Sequence, residues 1–150
     1  MTHDPIHDER LLLLAGHLER VPSKAFDYTE YVSHDWDGSS SIGSCGTVAC
    51  ALGWATTIPE LRALGLTLVR RRGGWLPRLV DPATHVEHEH FRTCAILFGL
   101  DADEANLLFM PSWQSRVEGW PDRSPPADAS AADVAAHIRR FVAFRRARSS

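Results

Sequence analysis

Cys45 is the residue of this sequence whose type and position most directly suggest chemistry. It follows a glycine- and serine-rich stretch at residues 37–44, and the small residues after it predict a helix over about 46–57. Backbone N–H groups at the start of a helix lack partners within the helix, so they stabilise a thiolate and lower its pKa. Cys45 is therefore a candidate nucleophile for a hydrolase or transferase. The histidines considered as its base are His34, His85, His88 and His90.

A second interpretation of Cys45 needs no catalysis. Cysteine hydrolases usually place a glutamine shortly before the nucleophile, where its side chain stabilises the oxyanion. The one glutamine of this chain is Gln114 and the one asparagine is Asn106, and both follow Cys45. A small cysteine also fits tight helix packing. The sequence therefore favours a structural role for Cys45 over catalysis with His85 or His88 as the base.

The spacing of the cysteines and histidines does not predict a metal site. Cys45 and Cys50 are five residues apart, which on one helix separates their directions by about 140°. The gap also exceeds that of common zinc-binding hooks. The stretch from His85 to His90 is rich in imidazoles and carboxylates, but the helix predicted there would point His88 and His90 apart. We therefore expect no metal and no cofactor.

The balance of charge limits the classes of partner. Sixteen basic against nineteen acidic residues give a net charge of −3, which does not indicate binding to nucleic acid. Arg70, Arg71 and Arg72 are candidates for contact with an anion, as are the arginines between residues 139 and 148.

Cysteine content and hydropathy indicate the compartment. Three cysteines are an odd number, which argues against a secreted disulfide framework. No apolar run approaches the roughly 18 residues of a membrane span, and no signal peptide precedes the acidic start of the chain. We expect a cytoplasmic protein without a membrane partner.

Hydrophobic periodicity and capping residues predict the elements that must position these side chains. Helices are predicted over about 7–20, 46–57, 84–98, 101–109 and from 130 towards the C-terminus, with a β-hairpin over about 66–80. Pro77 is expected either to confine the second strand to a sheet edge or to argue against a strand there. Residues 1–6 are expected to form a loose arm, and residues 111–129 a proline-rich connection to the last helix. The predicted fold is a single compact α+β domain, mainly α, with four or five helices around the helix at 46–57.

One motif carries a resemblance. The run Cys45-Gly46-Thr47-x-x-Cys50-x-x-Gly53-Trp54-Ala55, followed by Phe98-Gly99-Leu100 and Leu108-Phe109, resembles the core of a group of small uncharacterised bacterial and phage proteins. The resemblance covers about residues 10–111. The resemblance implies an architecture but does not imply an activity. It marks as the group's site the residues Cys45, Gly46, Thr47, Cys50, Gly53 and Trp54.

The sequence therefore predicts a small cytoplasmic interaction or accessory protein, of phage or mobile-element origin, that acts on a protein partner. The alternative is a cysteine-dependent hydrolase or transferase with Cys45 as nucleophile and a histidine from 85–90 as base.

Overall fold

The computed structural model describes residues 4–28, 50–71, 74–89, 91–111, 113–114, 116–121 and 123–149. Within these ranges the helices are α1 (Pro5–Leu18), α2 (Ala51–Ala55), α3 (Pro59–Arg62), α4 (Phe91–Phe98), α5 (Ala102–Phe109) and α6 (Ala131–Ser149). The strands are β1 (Leu66–Arg71), β2 (Gly74–Val80) and β3 (Glu87–Glu89), and a single 3-10 turn spans Ser23–Ala25. The predicted α+β, mainly α fold is confirmed, with six helices in the described ranges, five of them besides α2. None of these helices combines the length and apolar character needed to cross a membrane.

Side-chain caps set where the longer helices begin. Asp4 accepts a hydrogen bond from the backbone N–H of Ile6 at 3.0 Å, and Pro5 occupies the first helical position, where its missing N–H is not needed. Helix α1 therefore starts inside residues 1–6, and the prediction of a loose arm there is wrong for residues 4–6. The predicted capping of α5 by Asp101 with Glu104 is confirmed by a reciprocal pair of hydrogen bonds.

Helix α2 is shorter than the helix predicted over 46–57. Cys50 has extended backbone angles, with ψ at −177°, and forms the N-cap, so the helix begins only at Ala51. Residues 46–49 lie outside the described residues. All five residues of α2 are buried, which confirms the expected burial of the helical part.

The segment 84–98 differs most from its prediction. The Asp81 carboxylate accepts the backbone N–H groups of Ala83 and Thr84, at 2.8 and 3.3 Å, and so closes a turn. After His85, which has a φ of +60°, the chain runs back as β3 and pairs with β2. The Thr84-x-x-Glu87 pattern therefore belongs to a hairpin, and helix α4 starts only at Phe91.

The sheet has the antiparallel order β1-β2-β3, and β2 runs through Pro77 as its central strand. Both alternatives predicted for Pro77, an edge strand and no strand, are therefore wrong. Among the described residues Pro77 pairs only with Leu68 of β1, because β3 faces only Arg78–Val80. Val80 donates to the carbonyl of Gly65 at 3.1 Å. In an antiparallel pair, the N–H groups of every second residue point to the same neighbouring strand. Because the N–H of Val80 points to β1, the backbone nitrogen of Pro77, three residues earlier, points away from β1. The proline removes no hydrogen bond between β1 and β2.

The core lies where α1 and α6 pack against each other and against the remaining elements. Helix α6 buries the predicted stripe of Val134, Ile138, Phe141 and Val142. Helix α1 buries Leu11, Leu14, Ala15 and Leu18. The connection over 111–129 contains no helix or strand at its described positions. It is fastened to α5 by Ser124, whose hydroxyl donates to the carbonyl of Leu107 at 2.7 Å.

Candidate functional site

The cysteine motif is described from Cys50 onward, whereas Cys45, Gly46 and Thr47 lie outside the described residues. The structure therefore gives no distance between Cys45 and a histidine. Cys50 is 4% exposed, and burial raises the pKa of its thiol to about 11, although the N–H groups at the start of α2 act in the opposite direction. Burial likewise raises the pKa of Cys94 to about 12. Both thiols stay protonated at neutral pH and are poor nucleophiles.

Gly53 and Trp54, the other described residues of the motif, are buried. The Trp54 indole N–H donates to the carbonyl of Ala25 at 3.0 Å, and its ring lies 5.8 Å from the ring of His17. Trp54 therefore joins α2 to α1 and to the turn that follows α1. In this region the motif supplies packing contacts.

His17 joins the same contacts although the sequence did not single it out. Its Nε2 lies 3.2 Å from the Thr57 hydroxyl, which already donates to the carbonyl of Trp54 at 2.7 Å. His17 must therefore be the donor to Thr57. Burial, followed by the nearby Arg20 charge, lowers the pKa of His17 and favours its neutral form.

The histidines proposed as bases lie on the sheet side of the molecule. His85 occupies the exposed turn before β3, and His88 lies half-buried within β3. The argument that His88 and His90 diverge on a helix fails at His88, because residues 85–89 are not helical. His90 and His34 lie outside the described residues. Within the described ranges, no three His, Cys, Asp or Glu side chains come close enough to share a metal ion.

The arginine clusters divide into two cases. Arg70 lies over the ring of Trp75 at 5.7 Å, while the side chains of Arg71 and Arg72 are outside the described part, so anion contact there stays a prediction. The arginines of α6 make contacts within the chain. Their partners are Glu19 for Arg139, the Trp120 ring for Arg140, Asp8 for Arg145 and Arg146, and the carbonyl of Glu118 for Arg148.

The structure presents a cleft that sequence analysis did not single out. It has a volume of about 230 Å³. Its lining comes from α1, the α3–β1 connection, the sheet and α4, and consists of Arg10, Leu64, Leu79, Asp81, Pro82, His88, Ile96 and Leu97. We call it the Arg10 cleft. Arg10 is held there because its Nη1 donates to the carbonyls of Leu97 at 3.1 Å and Ile96 at 3.5 Å, which lie in the last turn of α4 and lack helical partners.

Exposed apolar side chains line this cleft and occur on the elements beside it. Among the described residues, the large hydrophobic side chains that are most exposed are Ile6, Leu13, Leu64, Val86, Ile96 and Met110. Leu64 and Ile96 line the cleft, and the carbonyl of Val86 accepts the N–H of Asp81 on its rim. Ile6 and Leu13 lie four residues before and three after Arg10 on α1, and therefore on the same flank of that helix. We call Arg10 and these five apolar residues, without Met110, the Arg10 face.

A larger cleft of about 570 Å³ lies between α5 and the end of α6. Its charged groups are mostly engaged within the chain. Arg145 binds Asp8, Asp101 and Glu104 cap α5, and Arg148 donates to a backbone carbonyl. The lining of this cleft is mostly charged, whereas the Arg10 cleft combines aliphatic side chains with a few polar groups, as protein-binding surfaces commonly do, so the Arg10 cleft is the stronger candidate site.

Comparisons of the chain with protein-family models, with curated proteins and with solved structures give no match. The resemblance that the cysteine motif carries therefore stays a prediction.

One signal in the sequence pointed towards the Arg10 face. Ile6 and Leu13 are apolar but fall outside the stripe of Leu11, Leu14 and Leu18 that α1 buries. An apolar residue on the wrong flank of an amphipathic helix indicates a second contact surface. Leu64 and Ile96 gave no comparable signal, because their exposure depends on how α3 and α4 pack.

Proposed function

We propose that this chain is a non-catalytic interaction or accessory protein that binds a protein partner through the Arg10 face. The observation that carries the proposal is the clustering of exposed apolar side chains. Of the six most exposed large hydrophobic residues in the described ranges, Leu64 and Ile96 line the cleft, and the other three of the face lie on the flank of α1 that carries Arg10 or two residues before His88. Isolated exposed apolar residues are ordinary, but a contiguous group with a polar rim is typical of a protein-binding surface.

The composition of the face supports the same proposal. Arg10, Asp81 and His88 stand around aliphatic side chains of the cleft. Interfaces commonly combine an apolar centre with polar groups at the rim, and arginine is enriched among the residues that contribute most to binding. A partner that covers Leu64 and Ile96 would remove apolar surface from water, which is the main favourable term in association.

A display selection with matched variants tests this function. The probe is a library of random twelve-residue peptides, selected against the folded full chain. Ile96 and Met110 are similarly exposed, at 40% and 43%, so Ile96→Glu and Met110→Glu place the same charge on and off the Arg10 face. We expect selected peptides to bind the Ile96→Glu protein at least about tenfold more weakly, as for the loss of an interface anchor, and the Met110→Glu protein with unchanged affinity.

Two results of the selection would contradict the proposal. One is the absence of any selected peptide with the wild-type chain. The other is peptides that bind the Ile96→Glu protein as well as the wild type, which would place the binding surface elsewhere. Thermal unfolding of both variants shows whether each remains folded.

The cysteine-dependent hydrolase or transferase remains the alternative proposal. It rests on Cys45 alone, because Cys50 and Cys94 are buried and have raised pKa values. Iodoacetamide labelling at pH 7 followed by peptide mass spectrometry tests it. Fast alkylation of Cys45 relative to a model thiol would favour the enzyme, and an ordinary or slow rate would favour the interaction protein.

The cellular setting is also a proposal. The cytoplasmic location rests on the odd number of cysteines in the sequence. Phage or mobile-element origin rests on the motif that begins at Cys45. Fractionation of the source cells with an antibody against the chain would test the location.

A further inference from the structure

The Arg10 cleft contains hydrogen-bond donors without acceptors in the described part of the chain. Arg10 uses Nη1 for the two carbonyls of α4, which leaves its Nε and Nη2 groups with no acceptor there. The imidazole of His88, on the facing strand, makes no hydrogen bond with any described residue; only its backbone carbonyl does, accepting from Thr93 at 3.0 Å. A half-buried guanidinium with unused N–H groups favours an oxygen acceptor, above all a carboxylate.

Asp81, the acidic residue of the cleft, does not serve as the acceptor for Arg10. The carboxylate of Asp81 accepts the N–H groups of Ala83 and Thr84, and these bonds lower its pKa and keep it ionised. Both bonds end on Oδ1 inside its own turn, and Asp81 forms no ion pair with Arg10 in the described part of the chain. The remaining N–H groups of Arg10 are therefore open to an acceptor that a ligand brings.

The other walls of the cleft are aliphatic. Leu79 and Leu97 are buried beneath it, while Leu64 and Ile96 are exposed at its edge. A volume of about 230 Å³ suits one aliphatic side chain with its adjoining backbone and is too small for a folded element. The ligand chemistry is therefore an aliphatic group held next to a carboxylate.

We propose that the Arg10 cleft binds an extended segment of a partner protein in which a Leu, Ile or Val side chain stands beside an Asp or Glu side chain. This inference rests on the proposed function and specifies its ligand. The aliphatic side chain packs on Leu64 and Ile96, and the carboxylate accepts hydrogen bonds from Arg10. The segment passes through the cleft rather than ending in it, because exposed apolar residues continue beyond the lining: Ile6 and Leu13 share the flank of α1 with Arg10, and Val86 lies two residues before His88.

The test is a selection from a random twelve-residue library displayed in two formats, with its C-terminus free and with its C-terminus fused to the display protein. We expect wild-type protein to enrich, in both formats, peptides with an acidic residue next to an aliphatic one. Enrichment of aliphatic residues without acidic neighbours would overturn the proposal and leave the proposed function standing. Enrichment only with a free C-terminus would show that the carboxylate is a chain end and would also overturn it. A library that yields no binder would contradict both.

Variants then test the role of Arg10 on one selected peptide, with fluorescence anisotropy as the readout. Arg10→Gln is expected to weaken binding about tenfold or more, the range of a charge-assisted hydrogen bond. Replacing the acidic residue of the peptide by its amide should cost a similar factor and add little in the Arg10→Gln protein, because both changes remove one contact. Additive losses would overturn the assignment.

Two further variants guard against an indirect effect on the fold. Arg10→Lys keeps the charge and is expected to retain the preference for the acidic over the amide peptide. Asp81→Asn keeps an acceptor for the turn while it removes the one negative charge among the described lining residues, so we expect unchanged or tighter binding. Weaker binding of the acidic peptide by the Asp81→Asn protein, with its thermal unfolding unchanged, would contradict the proposal.

Discussion

Asp8 and Arg145 form a buried ion pair that joins the two longest helices. Arg145 Nη2 lies 2.6 Å from Asp8 Oδ1, and the side chains are 9% and 2% exposed. Arg145 Nη1 also donates to the carbonyl of Phe98 at 2.9 Å, at the end of α4. One guanidinium therefore ties α6 to α1 and to α4. The loss of one member of such a pair leaves a buried charge without its counterion.

Replacement of Asp8 by Asn should lower the free energy of unfolding by about 3–5 kcal/mol, the usual cost of breaking a buried pair. Urea denaturation followed by circular dichroism measures it. The matched control is Glu19→Gln in the exposed pair with Arg139, where the two side chains are 46% and 44% exposed. Water screens that pair, so we expect a far smaller change. Equal losses for the two variants would show that burial does not set the strength of the Asp8 pair.

The two described cysteines should behave as packing residues. Burial raises the pKa of Cys50 to about 11 and that of Cys94 to about 12, so neither carries a thiolate near pH 8. We expect iodoacetamide to leave both unmodified in the native protein and to label both in urea. Mass spectrometry of the digested protein reads this out. Rapid native labelling of Cys50 would contradict its placement in the core.

The sequence alone identified some residues of interest and missed others, for a physical reason. Cys50 and Trp54 stand out by type and spacing, and both prove to be buried. Arg10 did not stand out, because its significance comes from the carbonyls of α4, 86 and 87 residues away along the chain. A single exposed arginine on a helix carries no such information.

Among the elements, the entry into β1 depends on Gly65. Its φ of +105° is a conformation that residues with a side chain rarely adopt. A Cβ at this position would also overlap the carbonyl oxygen of Val80 on the neighbouring strand. Gly65 thus sets the close pairing by which β1 meets the end of β2.

The same substitution at two glycines should have opposite effects. Gly65→Ala is expected to lower the free energy of unfolding by at least about 1–3 kcal/mol, the cost of a strained backbone conformation. Gly16→Ala in α1 should raise it by about 0.5–1 kcal/mol, because alanine favours a helix more than glycine does. A Cβ at Gly16 would have as its nearest neighbour Arg139 at 3.9 Å, an ordinary contact. Thermal or urea unfolding compares the two, and a stable Gly65→Ala protein would contradict the described turn.

Elements with strong local signals were predictable. The capping pairs Asp101 with Glu104 and Ser130 with Asp133 form as expected. The stretch after Asp81 was not predictable in the same way, because Thr84 with Glu87 fits both a helix cap and a hairpin turn. Pairing of β3 with β2 decides between them, and that contact is tertiary rather than local.

At the scale of the whole molecule, the Arg10 face brings together distant parts of the chain. Its cleft takes residues from α1, from the α3–β1 connection, from the sheet with its turn, and from α4. The sheet with its turn contributes four side chains and the other parts one or two each, and none has a motif of its own. The fold class followed from composition and periodicity, whereas this surface exists only once those elements have packed.

The location at which a selected peptide contacts the chain tests the central claim most directly. Two-dimensional ¹H–¹⁵N NMR of the full chain, titrated with the tightest-binding peptide from the library, gives that location as a set of shifted amide signals. We predict that the shifts concentrate on residues 6–13, on Leu64, on 79–88 and on 96–97. Shifts concentrated instead on the larger cleft, around residues 101–104, 116–118 and 144–148, would contradict the assignment of the Arg10 face as the binding surface.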